Sequence, residues 1–308
     1  MTAKVPRLFV TVAQLTVLAT AMVFPAGQRF QSGIELVSVD ALVMNGRLPV
    51  SGLTAEDFDL RDNGVAQSIQ QVAVEGLPLR VAMSFDISTS VEGERLEHLR
   101  AAALSIIQRL RPQDRASLSA FSHRLDRLVQ LTGDRKRLMD AVGRLEAGGG
   151  TSLRDAAFAA VALRDEGVGR TLVVLFSDGV DTTSFLSEPD VLRAAERSDV
   201  IIYPVGVRTT VGLGSRFDSR LATLVAQQEE RNMRFLKDLA AATGGRLVVA
   251  EGDRDIGAAF GRVLDEFNSR YVLAYTPAGV TGQGWHRIDL KLKRKKGTVT
   301  ARRGYFGA

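Results

Sequence analysis

Cysteine is absent from the 308-residue chain, and only three histidines and one tryptophan occur. The absence of cysteine excludes disulfide bonds, thiolate zinc sites and cysteine nucleophiles. The three histidines, His98, His123 and His286, are far apart and never have the i, i+3 or i+4 spacing of a histidine-rich zinc site. Any metal bound by this chain is therefore expected to be held by oxygen ligands.

The composition also excludes several classes of protein. Hydrophobic residues make up 45% of the chain and charged residues 24%, which is enough to bury a sizeable core. This composition therefore excludes collagen-like, disordered and polytopic membrane proteins.

The net charge of +5 comes largely from a basic segment near the C-terminus. Its charges alternate with the apolar residues Ile288, Leu290 and Leu292, so we interpret it as the solvated face of a hairpin. Binding to anionic lipid or nucleic acid is the alternative, but aromatic residues are not interleaved with the basic ones, and no nucleic-acid partner is expected. The basic residues are Lys291, Lys293, Arg294, Lys295, Lys296, Arg302 and Arg303.

Residues 1–26 have the pattern of a targeting segment. Lys4 and Arg7 precede an apolar run over residues 8–24, and Ala19 and Ala21 fit a small-residue cleavage site. A cleaved signal peptide, an uncleaved membrane anchor and a buried helix remain open as interpretations. The first two predict an extracytoplasmic protein, periplasmic or secreted, that contacts a membrane only through an uncleaved N-terminal segment.

The two ends of the remaining chain show β patterns. Residues 33–78 contain alternating apolar positions and the turn sequences Asn45-Gly46 and Asp62-Asn63-Gly64. Residues 270–308 contain two further strand patterns, residues 271–275 and 288–292. Each segment is too small to be stable alone, so we expect them to pair as one β module.

Residues 79–269 alternate between short apolar runs and amphipathic helical patterns. The runs at 79–85, 116–121, 171–176 and 200–207 are typical of strands buried on both faces. Helices are predicted at 95–110, 135–145, 153–163, 189–197, 232–242 and 255–268. This order predicts an α/β fold, a doubly wound and mainly parallel sheet with helices on both faces. Residues 209–231 are interpreted as a loop insertion able to carry a short helix.

Oxygen-bearing side chains follow the first buried run in the sequence Asp86-Ile87-Ser88-Thr89-Ser90. Ligands of open α/β sheets bind at the carboxyl ends of strands, where this loop is predicted to lie. One carboxylate and two hydroxyls suit Mg²⁺, Mn²⁺ or Ca²⁺. A simple helix cap is the alternative interpretation of the same residues.

Two further features make metal binding the stronger interpretation. Thr151 follows the three glycines of residues 148–150 and precedes a predicted helix, and Asp178 lies just beyond the run at 171–176. Asp155 and Asp181 are close in sequence, but we assign Asp155 to a first helical turn and Asp181 to a loop or outer shell, without direct contact to the metal.

The three-part pattern resembles the metal-ion-dependent adhesion site of von Willebrand factor type A domains. The resemblance covers residues 79–268 and implies that Asp86, Ser88, Ser90, Thr151 and Asp178 hold Mg²⁺, or Mn²⁺ or Ca²⁺, with one coordination position left for a partner's carboxylate. The flanking segments resemble a bacterial group of exported type A domain proteins common in acidobacteria. The segment at 209–231 departs from the compact family pattern.

Motifs of catalysis are missing from this region. No phosphate-binding loop with a lysine follows the glycines, and no G-x-S-x-G elbow occurs. Ser88 stands where a phosphotransfer site would have a second aspartate, and no histidine is predicted to serve as a base. We therefore expect a non-enzymatic module that binds a protein ligand presenting Asp or Glu. A subunit for assembly beside a separate ATPase and a metal-dependent phosphoesterase are the alternatives.

Overall fold

The computed structural model describes residues 36–74, 77–162, 170–208 and 219–307. The predicted signal or anchor segment, residues 1–26, lies outside these ranges. Within them, no helix is both long and apolar enough to cross a membrane.

Strands dominate both ends of the described chain, and strands and helices alternate between them. The strands are β1 (Val37–Asn45), β2 (Leu48–Pro49), β3 (Phe58–Asp62), β4 (Val65–Ala66), β5 (Gln71–Ala73), β6 (Leu79–Asp86), β7 (Arg115–Phe121), β8 (Leu125–Thr132), β9 (Arg170–Ser177), β10 (Ile201–Val207), β11 (Val248–Ala250), β12 (Tyr271–Tyr275), β13 (Gly284–Leu292), β14 (Thr298–Ala301) and β15 (Gly304–Gly307). The helices are α1 (Glu94–Arg109), α2 (Arg135–Gly143), α3 (Leu153–Ala162), α4 (Glu188–Glu196), α5 (Ser219–Thr243) and α6 (Ile256–Asn268).

The central domain is built on a six-stranded sheet in the order β11-β10-β9-β6-β7-β8. All neighbouring strands are parallel except the edge pair β7 and β8, which is antiparallel. The apolar residues of α1, α2 and α6 pack on one face, and those of α3, α4 and α5 pack on the other. The predicted doubly wound α/β fold is confirmed.

The terminal segments form a β module of two sheets that combine strands from both ends of the chain. One sheet has the order β14-β1-β12-β5 with β2 beside β1, and the other has the order β15-β13-β3-β4. Strand β1 alternates between buried Val37, Val39 and Ala41 and more exposed neighbours, which places one face in the module core. The chain enters the central domain between β5 and β6 and returns between α6 and β12.

Helix α5 corrects the predicted insertion. Residues 219–231 were expected in a loop insertion, with a separate helix at 232–242, but a continuous helix of 25 residues runs over Ser219–Thr243. The segment from Gln227 to Arg231 consists of good helix formers, and neither Gly nor Pro occurs between residues 219 and 243. Residues 209–218 of the predicted insertion lie outside the described chain.

A buried polar cluster joins the two sheets of the β module. Asp62 is fully buried, and the hydroxyls of Tyr275 and Tyr305 each donate to its Oδ2 at 2.8 Å. The Nδ1 atom of His286 lies 2.8 Å from Oδ1 of the same carboxylate. Burial, followed by the bond to Asp62, raises the pKa of Tyr275, so its hydroxyl remains a donor. These bonds connect β3, β12, β13 and β15.

Arg270, at the start of β12, ties the module to the central domain. Its side chain is fully buried, with Nη1 donating to the hydroxyl of Tyr203 at 3.1 Å and Nη2 donating to the carbonyl of Asp40 at 3.0 Å. Tyr203 belongs to β10 and Asp40 to β1, so a single guanidinium bonds to both parts of the molecule.

Candidate metal centre

The candidate site lies where two adjacent strands of the central sheet end. Strands β6 and β9 are parallel neighbours, with Phe85 paired to Phe176, so Asp86 and Asp178 leave the sheet at the same edge. Apolar residues such as these phenylalanines are buried on both faces of the sheet and fix the position of the strand ends. The fold therefore brings two residues that are 92 positions apart in sequence to one crevice.

Asp86 is fully buried, and both of its carboxylate oxygens accept hydrogen bonds. The backbone N–H of Ser88 donates to Oδ1 at 2.9 Å, and the hydroxyl of Ser177 donates to Oδ2 at 2.8 Å. The Oγ atoms of Ser88 and Ser90 are 3.1 Å apart. The first loop thus curls so that its two hydroxyls lie together beside the carboxylate.

The glycine loop before α3 is bonded directly to the first loop. The N–H of Gly148 donates to the carbonyl of Ile87 at 2.7 Å, and the N–H of Thr89 donates to the carbonyl of Gly149 at 3.1 Å. Gly149 has φ of +85°, a conformation that favours glycine, and a Cβ there would lie 2.4 Å from Nδ1 of His123. Thr151, next in this loop, is only 4% exposed.

The third loop contains Asp178 and is fixed by bonds to the second. The N–H of Thr151 donates to Oγ1 of Thr182 at 2.8 Å, and the N–H groups of Thr182 and Thr183 both donate to the carbonyl of Thr151. The carboxylate of Asp178 is 7% exposed and accepts from the N–H of Val180 at 3.1 Å. The structure thus links the three loops that carry the predicted metal ligands.

The electrostatics of this crevice disfavour two ionised carboxylates. Burial raises the pKa of Asp86 to about 6, the negative charge of Asp178 also raises it, and the bonds from Ser88 and Ser177 offset only part of the effect. The guanidinium of Arg95 lies near Asp178, with its Nη1 atom 4.0 Å from Oδ2. Arg95 is otherwise engaged, donating to Asp253 at 2.7 Å and to the carbonyl of Ser90 at 2.8 Å.

The donor set fits a hard divalent cation with modest protein charge. Two carboxylates and three hydroxyls supply only oxygen, as Mg²⁺, Mn²⁺ and Ca²⁺ prefer. In the described ranges, no group of three or more His, Asp or Glu residues is arranged as a metal site, so a cation here would depend on the hydroxyls of Ser88, Ser90 and Thr151.

The two neighbouring aspartates serve other purposes. Asp155 accepts from the N–H groups of Phe185 and Leu186 at 3.0 and 2.9 Å. Asp181 accepts from Arg154 and Ser184; burial acts to raise its pKa, but these hydrogen bonds lower it overall. Both carboxylates hold the loop after β9 against α3.

Three residues of this region were missed in the sequence. Ser177 was noted only as a neighbour of Asp178, although its hydroxyl bonds to Asp86. Arg95 was treated only as the start of a helix. His123 was considered only as a base and was not predicted to serve as one; its ring lies against Gly149 of the glycine loop, a contact that the sequence did not indicate. Only Ser177 had a usable signal, a polar residue at the buried end of an apolar strand.

The sequence profile of the von Willebrand factor type A domain family matches residues 81–245, more than half of the chain. The chain belongs to this family. Type A domains are in general interaction modules rather than enzymes. The match covers β9, all but the first two residues of β6, and all five predicted metal ligands.

Two curated relatives are similar to part of this chain. A Synechocystis protein described as uncharacterised is 38% identical over 79 residues, 25% of this chain and 19% of the relative. Mouse inter alpha-trypsin inhibitor heavy chain 4 is 27% identical over 211 residues, 61% of this chain and 21% of the relative. The aligned regions thus span about a fifth of the length of each relative.

Solved structures with type A domains are also similar to this chain. The von Willebrand factor domain of a type V pili tip protein from Porphyromonas gingivalis is 15% identical, with a TM-score of 0.48, covering 63% of this chain and 96% of that one. A von Willebrand factor type A protein from Catenulispora acidiphila is 15% identical, with a TM-score of 0.47, covering 80% and 72%.

Proposed function

We propose that this type A domain binds Mg²⁺, or Mn²⁺ or Ca²⁺ in its place, through Asp86, Ser88, Ser90, Thr151 and Asp178, and that the ion recognises an acidic side chain of a partner protein. The observation that carries the proposal is the burial of Asp86 beside Asp178, which raises the pKa of Asp86 to about 6. Two carboxylates held together in this way are stabilised when a cation lies between them.

The composition of the site supports binding of a partner over catalysis. A divalent cation with only two protein carboxylates keeps a residual positive charge, so a carboxylate from another protein can complete its coordination. Ser88 stands where a phosphotransfer site has a second aspartate, so a general acid is missing at that position. The proposed module therefore holds its ligand without transforming it.

Calorimetric titration of the full chain with Mg²⁺ tests the metal site. Asp86→Ala and Thr151→Ala are expected to abolish binding or weaken it at least tenfold, while far-UV circular dichroism stays unchanged. Asp155→Asn is the matched control, because Asp155 lies beside the site but bonds to the backbone of residues 185 and 186. Unchanged Mg²⁺ affinity in Asp86→Ala would refute the proposed ligands.

Capture of a partner tests the proposed mode of recognition. Immobilised wild-type chain is incubated with an extracytoplasmic fraction in Mg²⁺ and again in EDTA, beside immobilised Asp86→Ala. A specific partner is expected only with the wild-type chain in Mg²⁺. A partner retained in EDTA and by Asp86→Ala would show that recognition does not use the ion.

We also propose that the protein works outside the cytoplasm, on the basis of the pattern in residues 1–26. Mass analysis of the N-terminus in the native host tests this. Loss of the first residues, or an intact chain recovered with the membrane, agrees with export. An intact Met1 on a protein of the cytoplasmic fraction contradicts it, and would favour the assembly-subunit alternative.

The phosphoesterase alternative has its own test. A generic phosphate ester is incubated with the wild-type chain and with Asp86→Asn in Mg²⁺. No hydrolysis above the buffer rate is expected with either. Turnover by the wild-type chain that disappears in Asp86→Asn would replace the binding proposal with a catalytic one.

A further inference from the structure

A second candidate site lies at the opposite end of the central sheet, between the central domain and the β module. A cleft of about 690 Å³ opens where β6, β9 and β10 begin, so the length of the sheet separates it from Asp86. Part of its wall is apolar, including Leu36, Val200 and Phe306. Its charged residues are the arginines Arg80, Arg170, Arg197 and Arg302 and the aspartates Asp40 and Asp199.

Two of these guanidinium groups are largely buried and only partly hydrogen-bonded. Arg170 pairs with Asp40, and Arg302 donates from Nη2 to the carbonyl of Ser38 at 2.7 Å. The Nε atoms of Arg170 and Arg302 are both buried and have no hydrogen-bond partner among the described residues. Burial lowers the pKa of both groups, so these cations lack the solvation they would have in water.

The carboxylates of the cleft are shared or turned toward solvent. Asp40 lies between Arg170 and the fully buried Arg270, whose Nε is 3.9 Å from Oδ1 of Asp40. Asp199 is 3.8 Å from Nη1 of Arg302, but its side chain is 73% exposed, which weakens its effect on a buried cation. The lining of this cleft thus has four arginines against two aspartates, an excess of positive charge.

Arg197 adds a guanidinium at the rim. It is exposed, and its Cζ lies 4.8 Å from the centre of the Phe306 ring, so the planar group rests on an aromatic face of the cleft. Phe306 in turn packs on Trp285, with the ring centres 5.3 Å apart. Because Trp285 is the single tryptophan of the chain, its fluorescence reports on this wall.

We propose that this cleft is a binding site for a phosphoryl oxyanion, held by Arg170 and Arg302 inside and by Arg197 at the rim. Guanidinium groups bind phosphate oxygens through paired, charge-assisted N–H donors, and they do so more strongly where water is excluded. Such a ligand would bring negative charge beside these guanidinium groups and compensate the excess of four arginines over two aspartates in the lining. Since the cleft has walls from both parts of the chain, the ligand would also link the β module to the central domain.

Titration of the full chain with inorganic phosphate tests the proposal, with calorimetry and Trp285 fluorescence as readouts. EDTA is present throughout, so that the proposed metal site contributes nothing, and sodium chloride of matched ionic strength controls for screening. Glycerol 3-phosphate in a parallel titration distinguishes a phosphate ester from free phosphate as the preferred form. We expect saturable binding of at least one of the two and no saturable response to chloride.

Substitutions in the cleft define the site. Arg302→Gln is expected to weaken phosphate binding about tenfold, the cost of one charge-assisted hydrogen bond, and Arg197→Gln about threefold. Arg193→Gln is the matched control, since Arg193 lies on α4, four residues before Arg197, but pairs with Asp190 and does not line the cleft. If circular dichroism shows that Arg302→Gln does not fold, the exposed Arg197→Gln decides. Equal affinity in the wild-type chain and the folded variants, or a response no larger than that to chloride, would overturn the proposal.

Discussion

Asp62 in the β module and Asp86 in the central domain are both fully buried carboxylates with opposite surroundings. Asp62 is surrounded by two tyrosine hydroxyls and a histidine ring nitrogen, each at 2.8 Å. Asp86 accepts hydrogen bonds from Ser88 and Ser177 but has a second carboxylate nearby, and burial raises its pKa to about 6. A buried carboxylate that accepts enough hydrogen bonds from its own chain contributes to stability. A buried carboxylate whose negative charge its own chain does not compensate is suited to binding a ligand.

Removal of the Asp62 carboxylate should have the largest effect on the free energy of unfolding. Asp62→Ala leaves the hydroxyls of Tyr275 and Tyr305 and the ring of His286 without their shared acceptor, and we expect a loss of about 3–5 kcal/mol in the free energy of unfolding. Urea denaturation measures it. Asp289→Asn, on the exposed side of β13, is the control and should change stability by less than about 0.5 kcal/mol. A loss below about 1 kcal/mol in Asp62→Ala would remove the distinction between the two carboxylates.

Removal of the Asp86 charge is expected to change stability in the opposite direction. Asp86→Asn should stabilise the metal-free chain at pH 7, by at most about 3 kcal/mol, since one pKa unit corresponds to about 1.4 kcal/mol. The amide can still accept from Ser88 and can donate to Ser177. Urea denaturation in EDTA is the measurement, and a destabilised Asp86→Asn would show that the carboxylate is already compensated without metal.

The same carboxylate predicts how stability depends on pH. In the folded chain Asp86 keeps its proton up to about pH 6, whereas in the unfolded chain it ionises near the ordinary value of 3.8. Its contribution to stability is therefore full below about pH 4 and is lost as pH rises toward 6. This part of the pH dependence should disappear in Asp86→Asn and should shrink when Mg²⁺ is added.

A smaller effect on stability is expected from a substitution in the glycine loop before α3. It tests what fixes the position of this loop, which carries the predicted ligand Thr151. Gly149→Ala introduces a Cβ at φ of +85° and 2.4 Å from Nδ1 of His123, so we expect a loss of about 1–2 kcal/mol and weaker Mg²⁺ binding. Gly133→Ala, where a Cβ has open space, is the control. If both variants bind Mg²⁺ like the wild-type chain, the position of Thr151 does not depend on this close approach.

The sequence was sufficient to predict elements in which apolar residues recur in a strong pattern. It was insufficient to predict the strand at the edge of the sheet and the contacts between loops. Short, mainly apolar runs identified β6, β7, β9 and β10, and oxygen-bearing residues after β6 and β9 identified the crevice. Strand β8 was missed because, apart from Val129, its residues are exposed or half-buried, and its pairing with β7 contains register shifts. The first half of α5 was misassigned because two glycines before it suggested a loop that continued further.

Contacts between distant loops could not be predicted from single positions. His123 follows β7 and meets Gly149 only because the loops of neighbouring strands meet at one edge of the sheet. Arg95 bonds to Asp253, 158 residues later, and nothing in the local pattern around either residue indicates that pairing. The arginine cleft likewise combines residues from six strands and one helix, each unremarkable in its own segment.

The two chain crossings between the β module and the central domain have a mechanical consequence. One crossing follows β5 and the other follows α6, and both lie at the end of the sheet away from Asp86. If the proposed partner pulled on the loops around Asp86, it would load the central domain along its strands, and the tension would divide between the two connections. Such a double attachment resists swivelling, because a rotation about one connection stretches the other. A force applied at the loops around Asp86 would thus reach β5 and β12, which are paired with each other, through the two connections.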